Sequence, residues 1–127
     1  MNSHPSAVET VQELSGAALN YYVALASNIE VTFGRYYGEP VVYLAPFNGQ
    51  EYSPSTNWTQ GGPLLHKAGI GIAELSPRRW HAHSPSLPGV CITGKTPLEA
   101  AMRCLVLKRF GCQLPELPLQ LQSPAAV

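Results

Sequence analysis

The densest group of side chains able to do chemistry is Tyr52-Ser53-Pro54-Ser55-Thr56-Asn57-Trp58-Thr59-Gln60-Gly61-Gly62-Pro63. This composition suits neither a helix nor a strand and predicts an ordered loop with unusual backbone geometry. Trp58 offers a face for a base or other flat ring, a stacking interaction worth roughly 1–3 kcal/mol. Gly61 and Gly62 free the backbone to present consecutive amides as an anion-binding nest, to which Ser53, Ser55 and Thr56 add hydroxyls. Tyr52, Asn57 and Gln60 complete the candidate ligand-binding set. The same residues also suit a structural use, with Trp58 plugging the core and the glycines permitting a turn. The stretch has no strong acid, base or activated nucleophile, so it points to binding rather than to reaction.

Arg103 lies between residues that read as buried in a helix. An unpaired buried charge is costly, so Arg103 either balances an anionic ligand or acidic partner, or pins a loop carbonyl. Both uses are expected to place it near the Ser53–Pro63 loop. Arg78, Arg79 and Trp80, followed by His81 and His83, form the one basic and aromatic cluster. The arginines form a candidate phosphate-contacting edge or are simply solvated. His81 and His83 share a face if they lie on a strand, but no third metal ligand follows at a recognisable spacing. No metal and no cofactor is assigned.

Catalytic constellations are thin. Aspartate is absent from the whole chain, so a Ser-His-Asp triad would need glutamate as a substitute. Cys91 has His81 and His83 near it in sequence, and His66 with Glu51 or Glu74 is a formal acid–base pair, but no signature selects either.

These groups must be positioned by elements that hydrophobic periodicity and capping signals locate. Val8–Leu14 reads as a short extended piece. Ser15 reads as an N-cap for a helix from Gly16 to about Ser27, with Leu14 and Leu19 as a hydrophobic staple and Asn28 closing it. Ile29, Val31 and Phe33 alternate with polar residues as a half-buried strand does. A turn over Gly34–Pro40 leads to a second strand, Val41–Leu44, and Pro46–Gln50 turns again. Pro63–Ala68 reads as a short helical turn ended by Gly69. Further strands are expected at Ile70–Ala73, Trp80–His83 and Val90–Ile92. Thr96-Pro97-Leu98-Glu99 is a capping box that starts a helix to Phe110, with Gly111 as its C-cap. These elements predict an α+β fold, a small mostly antiparallel sheet packed by two main helices and rich in loops.

The chain has 127 residues, 45% hydrophobic and 13% charged, with eight acidic residues balancing eight basic ones. That size fits one domain, here residues 8–112, with 1–7 as a flexible leader and 113–127 as a Pro/Leu-rich tail without regular structure that either packs its leucines on the body or lies disordered. Charge balance argues against a strong nucleic-acid footprint and a polybasic membrane contact. No apolar run approaches the roughly 20 residues of a membrane span, and no secretory signal is legible. Three cysteines, Cys91, Cys104 and Cys112, without paired ligand spacing suit a reducing compartment.

Three blocks carry a family resemblance: Glu13-Leu14-Ser15-Gly16-Ala17-Ala18-Leu19, Tyr52 through Ile70, and Thr96 through Cys104 with Phe110-Gly111. Together they resemble the NinX-like family of small bacteriophage and prophage proteins, from roughly Val11 to Gly111. In that family an acidic residue usually stands where Asn57 is. The resemblance implies action in the cytoplasm of an infected bacterial host and implies no particular reaction. The expectation is therefore a phage accessory protein that binds a small, nucleotide-like ligand through the Tyr52–Pro63 loop. Sequestering a host metabolite or defence signal would be one use of it, a form of host takeover. The alternatives are a protein-interaction module acting on a host or phage partner, and a small hydrolase. Self-association is compatible with each.

Overall fold

A computed structural model of the chain describes residues 7–46, 49–111 and 113–122, with side chains from Thr10 onward. The α+β expectation holds, with four α-helices and two antiparallel sheets among the described residues. The central element is α4 (Pro97–Phe110). Its start agrees with the sequence: Thr96 accepts a hydrogen bond from the Glu99 amide at 3.1 Å, and Pro97 occupies the first turn. The Glu99 carboxylate reaches back one residue further than expected and accepts from the Lys95 amide at 2.9 Å. Leu98 and every residue from Ala100 to Leu107, Arg103 included, are buried, so α4 needs partners on nearly all sides. Those partners are α1 (Ala7–Gln12), α2 (Gly16–Ala26), α3 (Trp58–Ala68) and the three-stranded sheet β3–β4–β5.

That sheet runs β3 (Gly71–Ser76), β4 (Arg79–His83), β5 (Ile92–Gly94), with Gly71 opposite His83 and Trp80 opposite Gly94. Gly94 is obligatory, because a Cβ there would stand 2.6 Å from the Ala100 amide nitrogen of α4. The second sheet is a hairpin of β1 (Val31–Tyr36) and β2 (Glu39–Leu44). Its turn is only Tyr37 and Gly38, both at positive φ (53° and 82°), the backbone that matches strand twist in a two-residue hairpin. The broader turn expected over Gly34–Pro40 is thus mostly strand.

Two expectations at the start of the domain divide. Residues 7–12 are helical rather than extended, and Val11 is fully buried beneath α4. An isolated six-residue helix is too short to persist in water, so packing decides this one. Ser15 is the N-cap of α2 as expected, yet its hydroxyl makes no capping bond. Asn28 does close α2: at φ 57° it lets the Ile29 and Asn28 amides bond back to Ala24 and Leu25 at 2.9 and 3.3 Å.

The tail packs leucines on the body, one of its two expected fates, and departs from expectation only in holding a short regular turn. A 3-10 turn at Leu119–Leu121 buries Leu121 against the β1–β2 hairpin, and the Pro115 carbonyl accepts the Tyr22 hydroxyl at 2.5 Å. Residues 1–6 of the expected leader, Cys112 and residues 123–127 lie outside the described residues.

Candidate functional site

The Tyr52–Pro63 segment divides into two unlike halves. Residues 52–57 form a compact turn, in which the Ser53 carbonyl accepts the Thr56 and Asn57 amides at 3.0 and 2.8 Å. From Trp58 the chain is helix α3, which runs through Gly61, Gly62 and Pro63 to Ala68. The Asn57 side chain caps it, accepting from the Thr59 amide at 2.9 Å. Asparagine and aspartate cap almost equally well, so an aspartate at this position would do the same work. Gly69, at φ 70°, ends the helix as expected.

This helix corrects three expected roles. The Gly61 amide donates to the Asn57 carbonyl at 2.8 Å, and Gly62 lies inside the same helix, so the pair forms no anion nest. Gly61 is glycine for packing: a Cβ there would collide with the Pro54 carbonyl oxygen and stand 2.9 Å from Leu98 Cδ2. Gln60 is a brace, its amide oxygen accepting the Ser53 amide at 2.6 Å and its nitrogen donating to the Glu51 carbonyl at 2.9 Å. Tyr52, not Trp58, is the residue that anchors the segment in the core. Its amide bonds the Val42 carbonyl at 2.8 Å and its ring is buried. Burial pushes the pKa of its hydroxyl up to about 12. Ser27 opposes that shift slightly, yet the hydroxyl lacks a partner of hydrogen-bond geometry. Trp58 stands on the first turn of α3 with 53% of its surface exposed, free to stack.

The turn lines a cleft of about 240 Å3 with residues from α2 and β2. Ser53, Ser55 and Thr56 face Asn20, Gly16 and Glu51 across it. Ser55 is only 3% exposed. The Asn20 side chain accepts its amide at 3.1 Å, while its hydroxyl has no partner. Leaving a buried hydroxyl unpaired costs about 1–3 kcal/mol. Glu51 is the one charged side chain of the lining, so the cleft suits hydrogen-bond donors and repels phosphate. At this size it admits a base- or sugar-sized fragment, below the range of about 300–1,000 Å3 for drug-sized sites.

Arg103 is elsewhere. Only 9% exposed, it donates from Nε to the Leu14 carbonyl and from Nη1 to the Thr93 carbonyl, both at 2.8 Å, with Glu99 3.6 Å from Nη2. It pins carbonyls, but those of residues 14 and 93 rather than of the Ser53–Pro63 loop. Burial pulls its pKa below the ordinary guanidinium value, and Glu99 acts against that pull. The fold brings it instead to a cleft shared with Arg78 and Arg79. Trp80 packs against the core from β4.

His81 and His83 do share a face, their rings stacked 5.9 Å apart. Among the described residues no group of three metal-ligating side chains forms around them or elsewhere. Nor does any hydrogen bond join His66 to Glu51 or Glu74 there.

One concave site escaped the sequence. A cleft of about 580 Å3 lies where the end of α2 meets α3 and α4, with an apolar floor that includes Ile29, Leu64 and Leu105. Lys67, Lys108 and Arg109 line it as well, and Lys108 Nζ is committed to the Ala68 carbonyl at 2.6 Å. Its residues come from three separate segments, so no local pattern announces it.

With these clefts placed, comparison with known families adds a decisive fact. The profile described as Bacteriophage P22, NinX matches residues 10–109. The chain belongs to this NinX family. The match spans every element from the end of α1 to the last turn of α4, and with them all three clefts. The tail turn at Leu119–Leu121 falls beyond it. No curated protein matches the chain. As a NinX-family member it is a phage accessory protein, and among the described residues no helix is long and apolar enough to cross a membrane.

Proposed function

We propose that this phage accessory protein binds a small, donor-rich ligand without transforming it, in the cleft formed by Ser53, Ser55, Thr56 and Asn20. The observation that carries this reading is Ser55, a residue of the cleft lining whose buried hydroxyl has no hydrogen-bond partner. Its environment favours the base or sugar part of a nucleotide-like molecule over its phosphates, because Glu51 is the charge that lines the cleft. Trp58, two residues past Thr56, supplies an exposed ring for stacking. Binding of this kind in the cytoplasm of the infected host would remove a metabolite or defence signal from circulation. The test is to purify the protein from infected or expressing bacteria, release bound small molecules by denaturation and identify them by mass spectrometry. A stoichiometric nucleoside-like compound that is lost from folded Ser55→Ala and Trp58→Ala proteins is the expected result. Retention of the compound by both variants would overturn the assignment of the site.

A second reading, docking on a host or phage protein, draws on the cleft between α2, α3 and α4, whose apolar floor suits an inserted hydrophobic side chain. An empty protein in the release experiment, joined by a partner that Leu105→Glu abolishes, would favour it.

A further inference from the structure

The charges of this chain are balanced in number but not in space. Of its eight lysines and arginines, Arg78, Arg79, Lys95 and Arg103 line a single cleft of about 340 Å3, where Glu99 is the one carboxylate among the eight acidic residues. Glu99 is already engaged, accepting from the Lys95 amide at 2.9 Å and facing Arg103 at 3.6 Å. Arg103 is engaged too, through its two backbone carbonyls. Arg78 and Arg79 are exposed and, like the Lys95 ammonium, have no partner for their cationic groups in the described structure. Three free cations therefore surround a concave site whose own acid is neutralised.

The floor between them is rigid. Gln12 holds Thr93 from both sides, donating to its hydroxyl at 2.7 Å and accepting its amide at 2.6 Å. Arg103 holds the Thr93 carbonyl. The Thr93 hydroxyl, accepting from Gln12, keeps its own hydrogen to donate to an occupant. At the rim, Arg78 adopts φ 63° in the two-residue turn between β3 and β4, a left-handed backbone that glycine or asparagine adopts at lower cost. An arginine in that position fixes a guanidinium at the edge of the cleft.

We propose that this cleft is an oxyanion site taking the phosphate or diphosphate group of a small ligand, held by Arg78, Arg79 and Lys95 over the Thr93 floor. Guanidinium forks match phosphate oxygens in geometry as well as charge. Three unopposed cations suit a diphosphate better than a single carboxylate. The size of the cleft is that of a small-molecule site, and the neutral chain lacks the extended basic stripe that tracks a nucleic-acid backbone. No aromatic side chain lines the cleft, so recognition rests on the anion itself. This inference stands independently of the Ser55 cleft, which shares none of these residues.

The experiment is calorimetric titration of the full chain with inorganic phosphate, pyrophosphate, adenosine diphosphate and a single-stranded oligonucleotide. It is repeated on the double variant Arg78→Gln/Arg79→Gln and on Lys67→Gln/Arg109→Gln, which removes the same charge from another cleft. All four side chains are exposed, and circular dichroism verifies that both proteins fold. The expected result is saturable pyrophosphate binding, weakened at least about tenfold in the Arg78/Arg79 variant and less than about twofold in the control. Adenosine diphosphate binding no tighter than pyrophosphate supports a free diphosphate as the source, and tighter binding supports a nucleotide. Absence of pyrophosphate binding at millimolar concentration overturns the proposal. So does equal weakening in both double variants, which would mean diffuse electrostatics. Oligonucleotide binding through Arg78 and Arg79 without pyrophosphate binding overturns it in favour of a polyanion surface.

Discussion

Tyr52 and Cys104 are acids that folding keeps protonated. Burial raises the Cys104 thiol from 9.0 to about 11, with Lys108 opposing and Cys91 adding, and raises the Tyr52 hydroxyl from 10.0 to about 12. Between the unfolded and folded values the native state binds more protons than the unfolded chain, so stability falls as pH rises. Each contribution is whole below the unfolded value and is lost through the folded one, giving a decline that begins near pH 9 and continues toward pH 12. A tenfold change in proton affinity on folding is worth about 1.4 kcal/mol. Denaturant unfolding across this range should show the decline, and Cys104→Ala should remove its first part. An identical pH profile in that variant would contradict the burial argument. Arg103 makes the opposite point about burial: this guanidinium stays in the core because two carbonyls and Glu99 meet it there.

Helix α3 shows how packing overrides local composition. Trp58-Thr59-Gln60-Gly61-Gly62-Pro63 is a poor helical sequence, with glycines costing about 1 kcal/mol each relative to alanine and a proline in the interior. The helix persists because Asn57 caps its start, Gly69 its end, and Gly61 lets it close on the Pro54 carbonyl and Leu98. Gly61→Ala therefore sets two effects against each other. Propensity gains about 1 kcal/mol, while overpacking costs typically about 1–3 kcal/mol. Because the carbonyl oxygen it meets is backbone and cannot swing aside, overpacking should win. The expected outcome is a net loss of up to about 2 kcal/mol in urea unfolding, whereas a more stable variant would mean that α3 moves as a body. Gly62→Ala, whose Cβ would meet only Trp58 at 3.6 Å, is the control.

At the scale of the molecule, α4 is the core around which everything else is placed, and the tail completes it. The β1–β2 hairpin lies against α2 on one side and the Leu119–Leu121 turn on another. Truncation after Gly111 would remove the buried Leu121 and the partner of the Tyr22 hydroxyl. Burying a leucine is worth about 1.5–3 kcal/mol and a hydrogen bond about 1 kcal/mol. The truncated chain should thus lose about 3 kcal/mol, with faster amide exchange concentrated in residues 31–44. Unchanged exchange there would show that the hairpin stands without the tail.

What the sequence by itself determined was local. Thr96, Pro97 and Glu99 announce the start of α4 and Gly111 its end, Asn28 and Gly69 stop helices, and alternation at Ile29–Phe33 marks a strand, because capping and periodicity are written within a few residues. The three family blocks likewise made the NinX membership legible. Tertiary structure alone decided which residues share a cleft. It turned the two glycines from a nest into a helix face, since only the approach of Pro54 and Leu98 explains why Gly61 must be small. It also moved Arg103 from the Ser53–Pro63 loop to the side of Arg78 and Arg79. A buried charge goes where unpaired carbonyls lie, and the positions of Leu14 and Thr93 relative to α4 exist only once the chain has folded.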